Sequence, residues 1–244
     1  MGTPLFERGP QGFELTDAGR LVLSCVKLVE EQTDELLRKL EGTNSDISGT
    51  AQIATTPFLA AHLFAPTLSQ FLVAHPNLRI ELLGDNRQVD ISKREADIAV
   101  RVARPRDAGL VARRIATVHH AMYASAADTR PFEKQMFMGY DQASGHTSLQ
   151  HYLSSLVSSD RIVFRCNGTQ ALLEAVRSGL GCAVLPCFAA EQDGGFRRVA
   201  VPQEMQPMTL WLTYHEDLKR SARLHAAVRL IDQVVAWHGF SLDD

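Results

Sequence analysis

Asp160–Phe188 reads DRIVFRCNGTQALLEAVRSGLGCAVLPCF, and its hydrophobic period changes twice along the way. Arg161–Cys166 alternates polar and apolar residues and is β-branched, which predicts a strand. Asn167, Gly168 and Thr169 then predict a turn that holds unusual φ values and caps a helix. Leu172, Leu173, Val176 and Leu180 recur at helical spacing on one face. Gly179 and Gly181 end that helix, with Gly179 suited to left-handed φ. Cys182–Leu185 predicts a short buried strand, stopped by Pro186. Strand, helix and strand in so short a span make a βαβ unit, whose crossover is right-handed in nearly all sheets. Ligands of such sheets bind beyond the carboxyl ends of the strands. Here that end is Asn167-Gly168-Thr169, where free N–H groups and the helix dipole favour an anion.

The 244 residues suffice for one large or two small domains. With 45% hydrophobic and 22% charged residues, the composition is that of an ordinary globular protein. A formal charge of −3 excludes a body that holds nucleic acid by bulk charge alone. No apolar run approaches the roughly 20 residues of a membrane span. The N-terminus lacks the charged head and apolar core of an export signal. Cys25, Cys166, Cys182 and Cys187 form no CxxC pair and no disulfide pattern, which fits reduced thiols and a cytoplasmic location.

Met1–Gly19, MGTPLFERGPQGFELTDAG, starts with an apolar Pro4-Leu5-Phe6 and turns at Gly9-Pro10-Gln11-Gly12. Phe13-Glu14-Leu15 runs back, so a two-stranded ribbon is expected, with Arg8 and Gln11 near its tip. Such a ribbon is too small to be stable alone. Residues 17–42 predict the clearest helix: Thr16 caps it, Asp17 suits its dipole and Gly42 stops it. Val22, Val26, Val29, Thr33, Leu36 and Leu40 step by four and three, the spacing of a coiled-coil seam. Asp34 with Arg38 and Glu35 with Lys39 supply i,i+4 pairs on its flank. An amphipathic helix lying on its own domain is the other reading of the same stripe. Thr43–Ser48 is a polar linker.

Beyond it, strands and helices alternate. Gly49–Thr56, Leu78–Leu83 and Asp97–Val102 predict strands around a helix that carries Leu63, Phe64, Leu68, Phe71 and Leu72, with Pro66 in a first turn or at a kink. Gly84-Asp85-Asn86 turns into a short helix through Ala96. Leu110–Ile115 and Val118–Ala124 complete a first lobe. Gln135–Asp141, Ser148–Val157 and the βαβ stretch begin a second, followed by strands at Phe196–Val201 and Met208–Tyr214. A last helix, Leu218–His238, shows Leu224, Val228, Ile231 and Val235 on its apolar face. This alternation predicts a mostly parallel sheet. Crossings between lobes near Tyr123 and Leu212 predict a hinged clam-shell.

Two separated motifs resemble one family. "F-R-x-N-x-x-x-A-L-L-E-A-V-R-S-G-L-G-x-A-V-L-P" around residues 164–186 resembles the second half of the effector-binding domain of LysR-type transcriptional regulators. "P-L-F-E-R-x-x-x-G-x-x-L-T-x-A-G" at residues 4–19 resembles the wing of their winged helix-turn-helix. The resemblance implies an α/β effector domain of the type II periplasmic-binding-protein fold, preceded by a linker helix that pairs two subunits. It implies four parts: a wing remnant at 1–16, a linker helix at 17–42, a hinge linker at 43–48 and the effector domain at 49–244. Lobe I would span about 49–123 and 215–244, and lobe II about 124–214. The family's recognition helix would precede Met1, so the chain reads as a truncated regulator. Its wing, with Arg8 and Gln11 as the phosphate-facing residues, is expected to bind DNA weakly or not at all. A homodimer or homotetramer is expected, in which the helix Leu63–His75 and the strand Leu78–Leu83 of one subunit pack on Thr169–Leu180 of the other.

Three strand ends face one cleft in this topology: Thr55-Thr56-Pro57-Phe58, the Gly84–Asn86 loop with Asp85, and Asn167-Gly168-Thr169. Their N–H groups and hydroxyls converge where a carboxylate or similar anion is held well. Phe58 offers an apolar wall, and Arg101, followed by Val102, can pair bidentately with an acid. Capping of the next helix is the competing role for the threonines, and a surface or interlobe salt bridge is that for Arg101. The resemblance puts effector contacts in the same loops, although Ser125–Lys134 is shorter than the usual start of the family's second lobe.

Catalytic motifs are missing: there is no G-x-S-x-G, H-E-x-x-H or G-x-x-x-x-G-K-[ST]. His119 and His120, adjacent on a strand, point to opposite faces and do not share a metal. His146 and His151 have a poor ligand spacing. Cys182 and Cys187 read as buried inert thiols. No cofactor, metal or enzymatic activity is expected. A free-standing solute-binding protein and a transferase on the same scaffold are the competing functions; the missing export signal opposes the first, and the lack of an assembled nucleophile opposes the second.

Overall fold

The computed structural model describes residues 3–9, 12–26, 29, 48–86, 91, 95–102, 109–141 and 147–240, without the side chains of residues 8, 9, 12–14, 219 and 220. Two units separate, at residues 1–47 and 48–244. In the first, β1 (Phe6–Gly9) pairs antiparallel with β2 (Gly12–Leu15), Phe6 opposite Leu15 and Gly9 opposite Gly12, as the ribbon reading expects. Helix α1 runs from residue 17 to 26, with Val29 also helical. Thr16 caps it: its hydroxyl accepts from Gly19 N–H at 3.0 Å and donates to the Pro4 carbonyl at 2.8 Å. Val22, Val26 and Val29 are 42%, 55% and 63% exposed, an uncovered apolar stripe within this unit. Thr33, Leu36 and Leu40 lie outside the described residues, as does Gln11.

The second unit holds two five-stranded sheets. Sheet I is built from β3 (Gly49–Thr55), β4 (Leu78–Gly84), β5 (Ile98–Arg101), β6 (Leu110–Val118) and, from far along the chain, the strand Met208–His215. Between β3 and β4 the chain is helical throughout: α2 (Pro57–Leu59), a π turn (Ala60–Phe64), a 3-10 turn (Ala65–Thr67) and α3 (Leu68–Ala74). Pro66 explains the interruption. It lacks an N–H and crowds the carbonyl of the preceding turn, so the ladder loosens and then tightens around it. The Thr67 hydroxyl bonds back to the Phe64 carbonyl at 2.8 Å. Pro57–Ala74 is therefore an 18-residue run, apolar enough by length and composition to cross a membrane and longer than the sequence reading found. It buries Phe58, Leu59, Leu63, Phe64 and Phe71.

Sheet II is built from β7 (His120–Ser125), β8 (Phe137–Tyr140), β9 (Ile162–Cys166), β10 (Cys182–Pro186) and β11 (Phe196–Arg198). Its helices are α4 (Thr147–Leu156), α5 (Thr169–Arg177) and α6 (Cys187–Ala190). The order is β11-β7-β10-β8-β9, so the β9-α5-β10 crossover straddles β8, which is parallel to both. Leu172, Leu173 and Val176 of α5 are fully buried on this sheet, whereas Leu180 lies beyond the helix end and is 46% exposed. Gly179, at φ +82°, takes the left-handed conformation that the sequence demands. Gly168 does not: at φ −143° it is extended, which any residue adopts.

The strand Met208–His215, β12, enters sheet I antiparallel between β5 and β6. Both sheets are thus mixed rather than mostly parallel, because β6 and β12 in sheet I and β7 and β11 in sheet II run against their neighbours. The crossings also fall earlier than expected. β7 already belongs to sheet II at His120, and all of β12 belongs to sheet I, so Tyr123 and Leu212 lie inside strands and not at crossings. A strand keeps its two-residue period while it changes sheets, so alternation does not reveal the change. The last described helix is α7 (Ala222–Trp237), packed on β3, β6 and the π turn. Its buried face is Leu224, Ala227, Leu230, Ile231 and Val234, with the expected Val228 and Val235 only half-buried at its margin.

Candidate functional site

The carboxyl ends of β3, β4 and β9 meet. The Asn86 carboxamide, just past β4, donates to the Asn167 carbonyl at 2.8 Å, and His62 on the π turn meets Gln170 of α5 at 2.6 Å. Phe58 reaches out of lobe I: its buried ring packs with the sheet II core and lies 6.0 Å from the Phe188 ring of α6. The apolar wall expected from Phe58 is therefore shared between lobes. Asn86 belongs to the Gly84–Asn86 loop that the sequence places at the cleft; His62, Gln170 and Phe188 are not among the expected site residues, since no local pattern marks pairs as distant as His62 and Gln170.

The threonines are largely committed to their own scaffolds. Thr55, fully buried, donates to the Val100 carbonyl at 2.9 Å, tying β3 to β5. Thr56 accepts from Leu59 N–H at 3.2 Å and so caps α2, with Pro57 in the first turn where its missing N–H costs nothing. Thr169, buried at the start of α5, shares a 2.9 Å hydrogen bond with the Tyr140 hydroxyl. Burial pushes the Tyr140 phenol well above the ordinary tyrosine range. The Asp85 N–H donates to the Thr55 carbonyl at 3.0 Å, holding the β4 turn against β3. Gly168 heads α5 without a side-chain cap, leaving backbone N–H groups of the first turn to other acceptors. Val102 is half-buried just after β5.

Arg101 differs from all of these. It stands at the end of β5, beside Thr55, and its Nη2 is buried without a hydrogen-bond partner among the described residues. Burial lowers its proton affinity, and the Asp85 carboxylate works the other way. A guanidinium stays protonated under such conditions, so the result is a half-buried cation near Asp85 whose Nη2 makes no hydrogen bond among the described residues. Elsewhere Cys182 behaves as inert packing: it is fully buried and pushed up to about 12 by desolvation. No group of three or more His, Cys, Asp or Glu among the described residues is arranged to hold a metal ion. His119 is exposed and His120 buried, on opposite faces.

Two α/β lobes whose strand ends meet face to face define a clam-shell ligand-binding domain. The LysR substrate binding domain matches residues 44–236, and the chain belongs to that family, whose members are ligand-responsive transcriptional regulators. Over 219 residues it is 23% identical to the Mau operon transcriptional activator of Paracoccus denitrificans, covering 90% of this chain and 76% of that one. Over 247 residues it is 26% identical to the HTH-type transcriptional regulator YhjC of Escherichia coli, covering 92% and 81%. The fold is that of CrgA, a LysR-type transcriptional regulator from Neisseria meningitidis, at a TM-score of 0.72 and 17% identity, covering 96% of this chain and 84% of that one.

Proposed function

We propose that the chain is the sensing part of a cytoplasmic LysR-type regulator and that its effector is a small organic anion held between the lobes. The observation that carries the anion is Arg101. Leaving a buried donor unbonded is costly, and a carboxylate bridging Arg101 Nη2 and the first N–H groups of α5 would relieve that cost while satisfying the helix terminus. Thr56, Pro57, Phe58, Asp85, Val102, Asn167 and Gly168 would line the same volume, with Thr55 and Thr169 shaping it from behind. Such an effector changes the hinge equilibrium only by its difference in affinity for the two lobe arrangements.

Thermal unfolding against small carboxylates and their neutral amides tests this reading. Acids should stabilise the chain by about 2.7 kcal/mol at a hundredfold excess over Kd, and should be recovered chemically unchanged, as suits a sensor and not an enzyme. Arg101→Gln should abolish the response. Equal stabilisation by acids and amides, or a response that survives in Arg101→Gln, would refute it.

The reader of DNA would be coupled through α1, whose valine stripe supports pairing of two chains. Val73 on α3, 83% exposed, and Leu180 after α5 support the second contact between subunits, α3 and β4 of one on α5 of the other. Light scattering should give a dimer or tetramer, and this chain should show at most weak gel-shift binding through Arg8 and Gln11 of the wing.

A further inference from the structure

The lobes share an aromatic cluster that reaches from Phe58 at the effector cleft to the end of α7, where one of its members, His238, is titratable. Lobe II contributes Phe188, on α6 and packed against the sheet II core. Lobe I closes around it from two sides. From α2, Phe58 lies 6.0 Å away and itself stacks on His62 at 4.3 Å. From the end of α7, His238 meets Phe188 edge-on at 6.1 Å, and Phe240 does so at 5.5 Å. His238 and Phe240 stack at 5.8 Å and 26°. Both ring nitrogens of His238 are buried and make no well-formed hydrogen bond among the described residues, the Leu63 backbone being the one acceptor close enough to act on the ring.

A neutral imidazole tolerates this setting as a flat, weakly polar ring. An imidazolium does not, because both its N–H groups then need acceptors and its charge needs water or a counter-charge. No such counter-charge faces it among the described residues. On the π turn, His62 is stacked on Phe58 and paired with Gln170. Beside α6, Glu191 accepts from the Tyr123 hydroxyl at 2.7 Å, and Cys187 also interacts with Tyr123. On α7, Asp232 pairs with Arg113. Burial holds the His238 proton affinity below its ordinary value, and only the Leu63 carbonyl acts in the opposite sense.

We propose that His238 is a protonation-controlled latch between the lobes: neutral, it keeps Phe188 clamped in the lobe I cluster, and protonated, it lets Phe188 go. The sign follows from linkage. In the clamped state the imidazole titrates below 6.5, and once released into water it returns to about 6.5. The clamp is at full strength above that value and weakens as pH falls through the depressed one. Between the two, the ratio of clamped to released molecules drops by up to tenfold per pH unit. The effect on effector binding rests on the sensing reading above; the latch itself does not, so its test uses the chain without effector.

Hydrogen exchange of α6, corrected for intrinsic rates, is compared at pH 7.5 and 5.5, alongside an imidazole NMR titration assigned by His238→Gln. The unmodified chain should lose protection in α6 at the lower pH, and His238 should titrate below 6.5. His238→Phe, which keeps the ring and removes the proton, should stay protected at both values. Phe188→Ala should be unprotected at both. Replacing Asp243 and Asp244 by Asn should leave the pH response in place. A His238 that titrates at or above 6.5, acid loss that persists in His238→Phe, or acid loss that vanishes with Asp243 and Asp244 would each overturn the latch.

Discussion

The Asn86 side chain donates to the Asn167 carbonyl at 2.8 Å, fastening the end of β4 in one sheet to the end of β9 in the other. This bond spans the place where the sequence puts a ligand, and it is solvent-exposed, so its net worth is at the low end for hydrogen bonds, about 0.5–1 kcal/mol. Asn86→Ala should therefore lower the population of this lobe arrangement about two- to fivefold. Small-angle scattering should register a larger mean radius of gyration, while urea unfolding of the chain changes little. An unchanged radius would mean that the tie follows lobe closure without supporting it.

The buried Tyr140–Thr169 pair makes a different demand. It joins the end of β8 to the first residue of α5, and both residues are buried. Thr169→Val should cost about 0.5–1.5 kcal/mol, the net worth of the hydrogen bond it removes. Adding Tyr140→Phe should restore most of that loss, since removing both partners is nearly neutral. Urea denaturation of the two single variants and the double variant measures the cycle. Additive losses would show that the two hydroxyls do not act as a pair.

Asp128 supplies a test by pH. Arg130 holds its carboxylate through side-chain bonds at 3.0 and 2.7 Å and a backbone bond at 2.9 Å, and these keep it well below the usual carboxylate range. With the folded value depressed, its stabilisation is complete above about 3.9 and is lost as pH falls through the folded value. Asp128→Asn should flatten the acid side of the stability profile below about pH 4 and leave the neutral side merely lowered. Chemical denaturation at a series of pH values reads this directly.

The β9-α5-β10 unit was legible because its signals are local: a change from alternation to helical spacing, then Gly179 at the helix end. The β1–β2 ribbon and the helix cap at Thr16 were legible for the same reason. The face of α7 was less so. Its buried side is rich in alanine, and Val228 and Val235 drew the reading towards the margin, although Ala227 and Val234 sit deeper. At the site, alternation correctly places Thr55 at a strand end but does not say that Val100, on a strand distant in sequence, takes its hydroxyl proton. The cluster around Phe188 draws on three separate segments, so no window of sequence contains it. Arg101 lay between: its position was readable, and the unbonded Nη2 among the described residues was not.

Gly181 tests how tightly the βαβ unit is built. It sits between the end of α5 and β10, where a Cβ would lie 2.4 Å from the Met136 carbonyl oxygen. That carbonyl is fixed, since it accepts from Cys182 N–H at 2.8 Å in the step that starts the β10–β8 pairing. Gly181→Ala must therefore push β10 from β8 or break this bond, and overpacking of this kind costs about 1–3 kcal/mol. Gly179→Ala meets open space but keeps a φ of +82°, so it should cost only about 1 kcal/mol through backbone strain. Urea midpoints should thus fall further for Gly181→Ala than for Gly179→Ala. The reverse order would mean that the β10–β8 contact yields more easily than the turn before it.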